Sequence, residues 1–505
     1  LELVLEANSW ELRLNPEGVR LAFGPAESFP LSIGSSLPEV VLIPGGFDFS
    51  RRNHLGSEVS LIGPGAVLNF WHLVNFRNRH HTAAAWPEIV LAAHAETTTR
   101  SDDWQFAPHP SLVVFERADL KLVIGMAGVF AGDGLRIDIR GNTVNRFTFA
   151  GAVDEPRIRM QLFEGDVFQA VSQFVSGLPV TPRATPQATW ATEPVYGTWF
   201  DQVYRSEVGV PADLADQLDD PGWSVAAHVL TEEFVLEAVN VLQKQRLPFR
   251  TVMLDVGWFQ AIGDWRVATD RFPDMRGLVN RLHDLGYKVV VWWHWAEVGK
   301  TADVDPRRLV GGGWQNRHGT RLYDYSSPWV QQEFLPELFH KMFSPDPGCL
   351  DFDGIKTDFL ADKVHPETPW ADPQWGGEER YFENVCGLVY AEMRKQKADA
   401  AHVGCSGHWA LGPFIDVNRT YDVHSTNPEE HVSRARMLRA TCPDVPVAFD
   451  FHPYTENLDA YFNRAKDSGC GVQVGNVLHT RRDPWSAIQI ADAAYWAALR
   501  RGLDT

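Results

Sequence analysis

Long apolar runs are missing from this 505-residue chain, and none approaches the eighteen or so residues that a transmembrane helix needs. Cysteine is scarce. Its five copies (Cys349, Cys386, Cys405, Cys442 and Cys470) are odd in number, lie in the second half and form no Cys-x-x-Cys pair. Neither a disulfide framework nor a zinc knuckle is indicated. Positive charge is in deficit: 46 Lys and Arg stand against 65 Asp and Glu, a net charge of −19, about −5 of it before residue 191 and about −14 after. Such a surface repels phosphates, which argues against nucleic acid and anionic membranes as partners. No signal peptide opens the chain at Leu1, and cytoplasmic is the default expectation. With 44% apolar and 22% charged residues, the composition is that of a chain with a large core, and disorder is excluded.

Tryptophan is abundant. Twelve of the nineteen lie between Trp190 and Trp375. Indole faces stack on the C–H faces of sugars, although each Trp alone suits core packing equally well. The length allows two or three domains. Residues 1–185 read as short strands, including Val40–Ile43, Ile89–Ala93, Leu112–Phe115, Leu120–Ile124 and Leu135–Ile139, with helical periodicity first at Val167–Val175. The expectation is an N-terminal β-sandwich domain, followed by a linker at Pro179–Pro186.

From Pro194 the rhythm is strand, loop, helix, repeated. The strands are Val195–Phe200, Arg250–Asp255, Lys288–Trp293, Gly354–Asp358, His402–Ser406, Arg419–Val423, Pro446–Phe451 and Gly471–Val477. Helical patterns between them run over Glu232–Gln245, Met275–Leu285, Trp329–Met342, Glu378–Arg394, Glu429–Leu438, Asn457–Ala465 and Trp485–Leu499. This predicts a (β/α)8 TIM barrel over 190–505. An open doubly wound sheet would call for Gly-x-Gly-x-x-Gly after its first strand, and none is present.

Barrel enzymes carry their chemistry at the C-terminal ends of the strands. Here those ends hold Trp199 and Asp201, Asp255 and Trp258, His294 and Glu297, and Lys356 and Asp358, then Ser406 and His408, Asp422 and His424, and Asp450 and His452. Converging polar groups are costly to desolvate and need a compensating role. Five histidines near these ends raise a metal-dependent hydrolase, but the barrel half has neither His-x-His nor His-x-x-x-His, so no metal or other cofactor is expected. Two carboxylates fit better. Glycoside hydrolysis places one on each side of the anomeric carbon. Asp358 and Asp422, on strands four and six, suit that task; Asp255 with Asp358 fits as well.

The stretch Leu254-Asp255-Val256-Gly257-Trp258-Phe259, then Gly263-Asp264-Trp265, Asp270-Arg271-Phe272-Pro273, Gly277-Leu278 and Leu285-Gly286-Tyr287-Lys288 through Trp292, resembles glycoside hydrolase family 36, the α-galactosidase and raffinose-synthase group of clan D. Thr198-Trp199 is similar to that family's first barrel strand. Asp353-Gly354-Ile355-Lys356-Thr357-Asp358 resembles its nucleophile strand, and Arg419-Thr420-Tyr421-Asp422 the Arg-x-Ser-Asp of the raffinose-synthase branch. Trp293-His294 and Val445–Phe451 are similar to further stretches of that branch. The resemblance covers residues 194 to about 480 and implies a β-supersandwich ahead of the barrel.

It also implies retaining α-glycoside cleavage, with Asp358 as nucleophile and Asp422 as acid/base. Trp199, Asp255, Trp258, Trp265, His294, Lys356, Cys405, Trp409 and Arg419 form the sugar-binding set, and the substrate is an oligosaccharide or glycoside. Two departures matter. Val256 replaces the second Asp of Asp-Asp-Gly-Trp, and Cys405-Ser406-Gly407-His408-Trp409 lacks the family's Gly-rich Arg segment. Plain α-galactosides are therefore not expected to be the best substrates. A transglycosidase or a silent sugar-binding relative stays open as the alternative, and so does a homo-oligomer.

Overall fold

The computed structural model describes residues 157–209, 221–294, 296–315, 319–358, 368–375, 378–404, 409–420 and 426–504, with nine shorter strand segments between residues 2 and 150. Eight parallel strands form a closed barrel: β1 (Val195–Gly197), β2 (Thr251–Leu254), β3 (Lys288–Trp293), β4 (Gly354–Thr357), β5 (Ala401–Gly404), β6 (Val417–Arg419), β7 (Val447–Phe449) and β8 (Gly471–Val474). Closure comes from β8 pairing with β1, Val195 opposite Gln473. The helices are α1 (Val167–Ser176), α2 (Trp199–Gly209), α3 (Pro221–Val229), α4 (Glu232–Lys244), α5 (Met275–Asp284), α6 (Leu335–Phe343), α7 (Glu378–Gln396), α8 (Glu429–Thr441), α9 (Leu458–Asp467) and α10 (Ala493–Leu503).

Local chemistry explains these boundaries. The Thr231 hydroxyl accepts from Phe234 N–H to start α4, with Glu232 and Glu233 on its positive end. One face of α4 buries Phe234, Val235, Ala238, Val239 and Leu242 against the barrel. Asp274 and Asp492 cap α5 and α10 in the same way. Inside the barrel, Val195, Met253, Val290 and Val403 pack with Phe200 and Phe451. Gly197 is required there, because a Cβ would lie 2.4 Å from the Phe451 ring. Ala188 and Ala191, on the turn ahead of β1, pack on Ala401, Val417 and Ala448.

Several expectations shift. Trp199 does not end a strand. It begins α2, because the chain leaves the sheet at Thr198 and Gln202 N–H already bonds to Thr198 O. Strand six starts at Val417, two residues ahead of the expected Arg419–Val423, of which 421–423 lie outside the described residues; buried Asn418 and Arg419 are polar, which masks the strand in the sequence. The last helix starts at Ala493, not Trp485, because Gln489–Ile490 pairs with His479–Thr480 as a hairpin. Before α6, a π-helical turn at Val330–Phe334 precedes Pro336, whose ring nitrogen cannot donate to the helix ladder.

Toward the N-terminus, Glu2–Glu6, Ser9–Arg13, Arg157–Glu164, Leu120–Met126 and Leu112–Arg117 form one antiparallel sheet in that order. Arg20–Ala22, Thr143–Ala150 and Gly134–Arg140 form a second. Three expected strands are thus present, slightly lengthened; Val40–Ile43 and Ile89–Ala93 lie outside the described residues. Helix α1 packs on the first sheet and on α8, where Arg436 pairs with Asp166 at 2.9 Å and covers the Phe168 ring.

Candidate active site

Alternation along the strands decides what faces the barrel axis. Met253 and Val290 point inward, so Asp255, Trp292 and His294, an even number of residues onward, continue those inward rows. Lys356 and Asp358 are likewise two apart on β4 and its end. Arg419 ends β6, and Asp450 follows β7.

These groups form one ladder of alternating charge. Lys356 Nζ stands 2.6 Å from Asp255 Oδ2 and 3.6 Å from Asp358 Oδ2. Arg419 donates through one terminal nitrogen to Asp358 and through the other to Asp450. Trp292 Nε1–H donates to Asp358 Oδ2 at 3.1 Å. Donors therefore reach both oxygens of Asp358, which is 7% exposed. Burial pulls the Lys356 ammonium down, but the charges of Asp255, Asp358 and Asp450 overcome it, so its pKa lies above the usual lysine value. Three carboxylates and two cations buried together carry a large desolvation cost, which only mutual pairing offsets.

The two ends of the ladder are built alike. Asp255 N–H donates to the Thr198 hydroxyl, and Asp255 Oδ1 accepts from Val256 N–H, both at 2.9 Å. At the other end, Asp450 N–H donates to the Thr420 hydroxyl at 2.9 Å, and Asp450 Oδ1 accepts from Phe451 N–H at 2.8 Å. Each threonine follows the strand preceding its aspartate's strand. The remaining Oδ2 of each aspartate then faces a cation, Lys356 or Arg419.

The expected sugar-binding set divides. Asp255, Lys356, His294 and Arg419 gather at the strand ends near Asp358, but Arg419 is fully buried and its two terminal nitrogens are spent on carboxylates. His294 Nδ1 accepts from Glu297 N–H at 3.0 Å, which leaves the ring proton on Nε2. Trp258 and Trp265 are not pocket walls. Trp258 has no exposed surface, donates to Trp292 O and packs on Phe259, Trp265 and Phe352; Trp265 packs on Trp293. They form the aromatic layer behind the site. Trp199 is half-buried, and Trp409 is buried in a 3₁₀ turn, Trp409–Phe414. Cys405 and Asp422 lie outside the described residues.

Trp292 and Asp450 are members that sequence reasoning gives no role. Asp450 stands in the ring of strand-end groups, and counting in twos back from His294 would have found Trp292. Asp201, in the same ring, serves the scaffold instead: its carboxylate accepts from the N–H groups of Val477, Leu478 and His479.

A carboxylate set deep in the mouth of a (β/α)8 barrel, cationic on either side, suits glycoside cleavage, and the comparisons point the same way. Residues 220–413 match the family model for the glycosyl hydrolases family 31 TIM-barrel domain. An α-galactosidase from Thermus thermophilus, solved with p-nitrophenyl α-D-galactopyranoside, is similar over 100% of this chain and 91% of its own, at 15% identity and a TM-score of 0.57. A cycloalternan-degrading enzyme from Trueperella pyogenes, solved with a covalent intermediate, is similar over 78% of this chain and 57% of its own, at 13% identity and a TM-score of 0.51. At these identities the structural likeness establishes the barrel fold. The family match spans less than half of the chain and names family 31, where the motifs of the sequence resemble family 36. No helix among the described residues is long and apolar enough to cross a membrane.

Proposed function

We propose that this chain is a retaining α-glycoside hydrolase of the family 36 type, with a β-sandwich domain (1–185) ahead of a catalytic barrel (190–505). The observation that carries the reading is Asp358, a barely exposed carboxylate at a strand end with donors on both oxygens. Asp358 attacks the anomeric carbon while Asp422 protonates the departing oxygen, so the glycosidic C–O bond breaks as a glycosyl-aspartate ester forms. Asp422 then takes a proton from water, which attacks the same carbon, breaks the ester and frees Asp358. Asp255 and Lys356 bind sugar hydroxyls, and His294 adds a donor through Nε2. Arg419, Trp292 and Asp450 are positioning residues that fix the nucleophile's orientation. The T. thermophilus enzyme's complexes with p-nitrophenyl α-D-galactopyranoside and stachyose support an α-linked substrate.

Val256 brings no acceptor to the sugar edge beside Asp255, so the preferred sugar is one other than plain galactose. A panel of p-nitrophenyl α-glycosides tests both parts. Turnover with retained configuration, lost in Asp358→Ala, is expected. Full activity in Asp358→Ala, or inversion by the native enzyme, would overturn the reading.

A further inference from the structure

Among the described residues, the two most exposed large apolar side chains are Ile490 (83%) and Trp485 (72%), and they stand on one hairpin. This is the hairpin after β8, with Trp485 in its turn. The turn is fixed rather than loose: Trp485 N–H donates to Asp483 Oδ1 at 2.8 Å, and Arg481 Nε donates to Ser486 O at 2.6 Å. Of the two, Ile490 lines a groove.

The hairpin forms one wall of a groove of about 660 Å³, closed by the loop after β7, the start of α9 and one face of α10. That volume falls in the usual range of small-molecule sites, roughly 300–1,000 Å³. Thr455, Asn457, Asp459, Arg482, Gln489 and Asp492 line it with hydroxyl, amide, carboxylate and guanidinium groups. Leu458 and Tyr495 supply apolar surface. Two carboxylates against one guanidinium disfavour an anionic ligand. Planar hydrogen-bonding groups beside the exposed Ile490 and the apolar Leu458 suit a neutral sugar, whose hydroxyls lie at the rim of the ring and whose C–H bonds present an apolar face.

The groove is separate from the charge ladder but adjoins the same mouth. It begins at Thr455, five residues beyond Asp450, and Asn457 Nδ2 donates to the carbonyl of Thr426, on the loop that follows β6. We propose that it is a second carbohydrate site, which holds the distal rings of a neutral α-linked oligosaccharide on the barrel rim. Only this choice of ligand rests on the α-glycosidase reading.

The test is calorimetric titration of Asp358→Ala with stachyose, maltotetraose, galactose and glucose. At least one tetrasaccharide binds, and adding Ile490→Ala or Gln489→Ala weakens it about tenfold without altering monosaccharide binding. With Asp358 intact, Gln489→Ala leaves p-nitrophenyl α-glycoside turnover within twofold of the unsubstituted enzyme. Failure of both tetrasaccharides to bind, or affinity unchanged by both substitutions, overturns the proposal; so does an equal loss on nitrophenyl and oligosaccharide substrates. If nitrophenyl glycosides are not hydrolysed but Gln489→Ala still weakens tetrasaccharide binding, the hydrolase reading fails and the groove stands.

Discussion

Asp358 is where charge, hydrogen bonding and position coincide, and the sharpest predictions concern it. Asp358→Ala lowers turnover by roughly four orders of magnitude or more. Azide or formate partly restores it with the inverted product, because the anion enters the vacated space and attacks in one displacement. Chemical shifts of the released sugar read the configuration; rescue with retention would contradict the nucleophile assignment. Asp422→Ala affects poor leaving groups far more than nitrophenolate, since only the former need a proton. Equal losses on both would remove Asp422 from that role. Asp450 acts one step away, through Arg419. Asp450→Ala leaves a buried guanidinium arm without its carboxylate, at a cost of about 3–5 kcal/mol in stability. It also lowers kcat more than it raises KM, and Asp450→Asn recovers part of both. A KM effect alone would mark Asp450 as a sugar ligand.

Between strands, threonine hydroxyls hold the carboxylates that end the next strand. Thr198→Val or Thr420→Val leaves the buried N–H of Asp255 or Asp450 unsatisfied, for about 1–3 kcal/mol each. The urea midpoint measures this, and no change in either variant would show that the N–H finds another acceptor. Titrating pairs between elements also set the acid limit of the fold. Burial pulls His402, at β5, and His452, after β7, down to about 4. Their folded pKa values lie below the unfolded value of about 6.5. The stability they contribute is complete above that pH and is lost as pH falls from about 6.5 to about 4. Asp353, ahead of β4, follows at lower pH. Burial would raise it, but the His283 hydrogen bond and the Lys397 charge hold it at about 2. Its share is present above about 4 and is lost as pH falls toward 2. Denaturation midpoints at steps from pH 7 to 3 should decline from the first window onward. A flat profile between pH 6.5 and 4 would contradict the buried neutral histidines.

Across the whole molecule, the segment expected to be a linker is tied down rather than loose. Arg183, within the expected linker Pro179–Pro186, donates to the carbonyls of Gly412 and Ile415 and to the Tyr390 hydroxyl. It also lies 3.5 Å from Asp416, just ahead of β6. The neighbouring turn, Thr189–Thr192, carries Ala191 onto the strand-end alanines of the barrel. Arg183→Ala should therefore open the segment 179–187 to limited proteolysis while the separated barrel keeps its fold. Cleavage rates equal to those of the unsubstituted protein would mean that the alanine contacts hold the linker without the arginine.

Local pattern was enough to specify the order of the eight barrel strands, though not α2 and α3 between the first two. Lys288–Trp293 is an unbroken apolar, β-branched and aromatic run after one lysine, and its bounds in the structure are those read from the sequence. Lys356 and Asp358 were legible because two residues apart on a strand means one face. The boundaries at Trp199, Arg419 and Trp485 were not legible: helical bonding starts at Thr198 O, strand six carries the polar Asn418 and Arg419, and His479 pairs with Ile490 ahead of the last helix. Whether Trp258 and Trp265 faced a ligand or the core was likewise undetermined by their neighbours in the chain. Composition and periodicity fixed the barrel and its inward rows. Only closure of the eight strands brought Asp255, Lys356, Asp358, Arg419 and Asp450 within hydrogen-bonding reach, because charges up to 195 residues apart in the chain act on one another only where the fold removes the water between them.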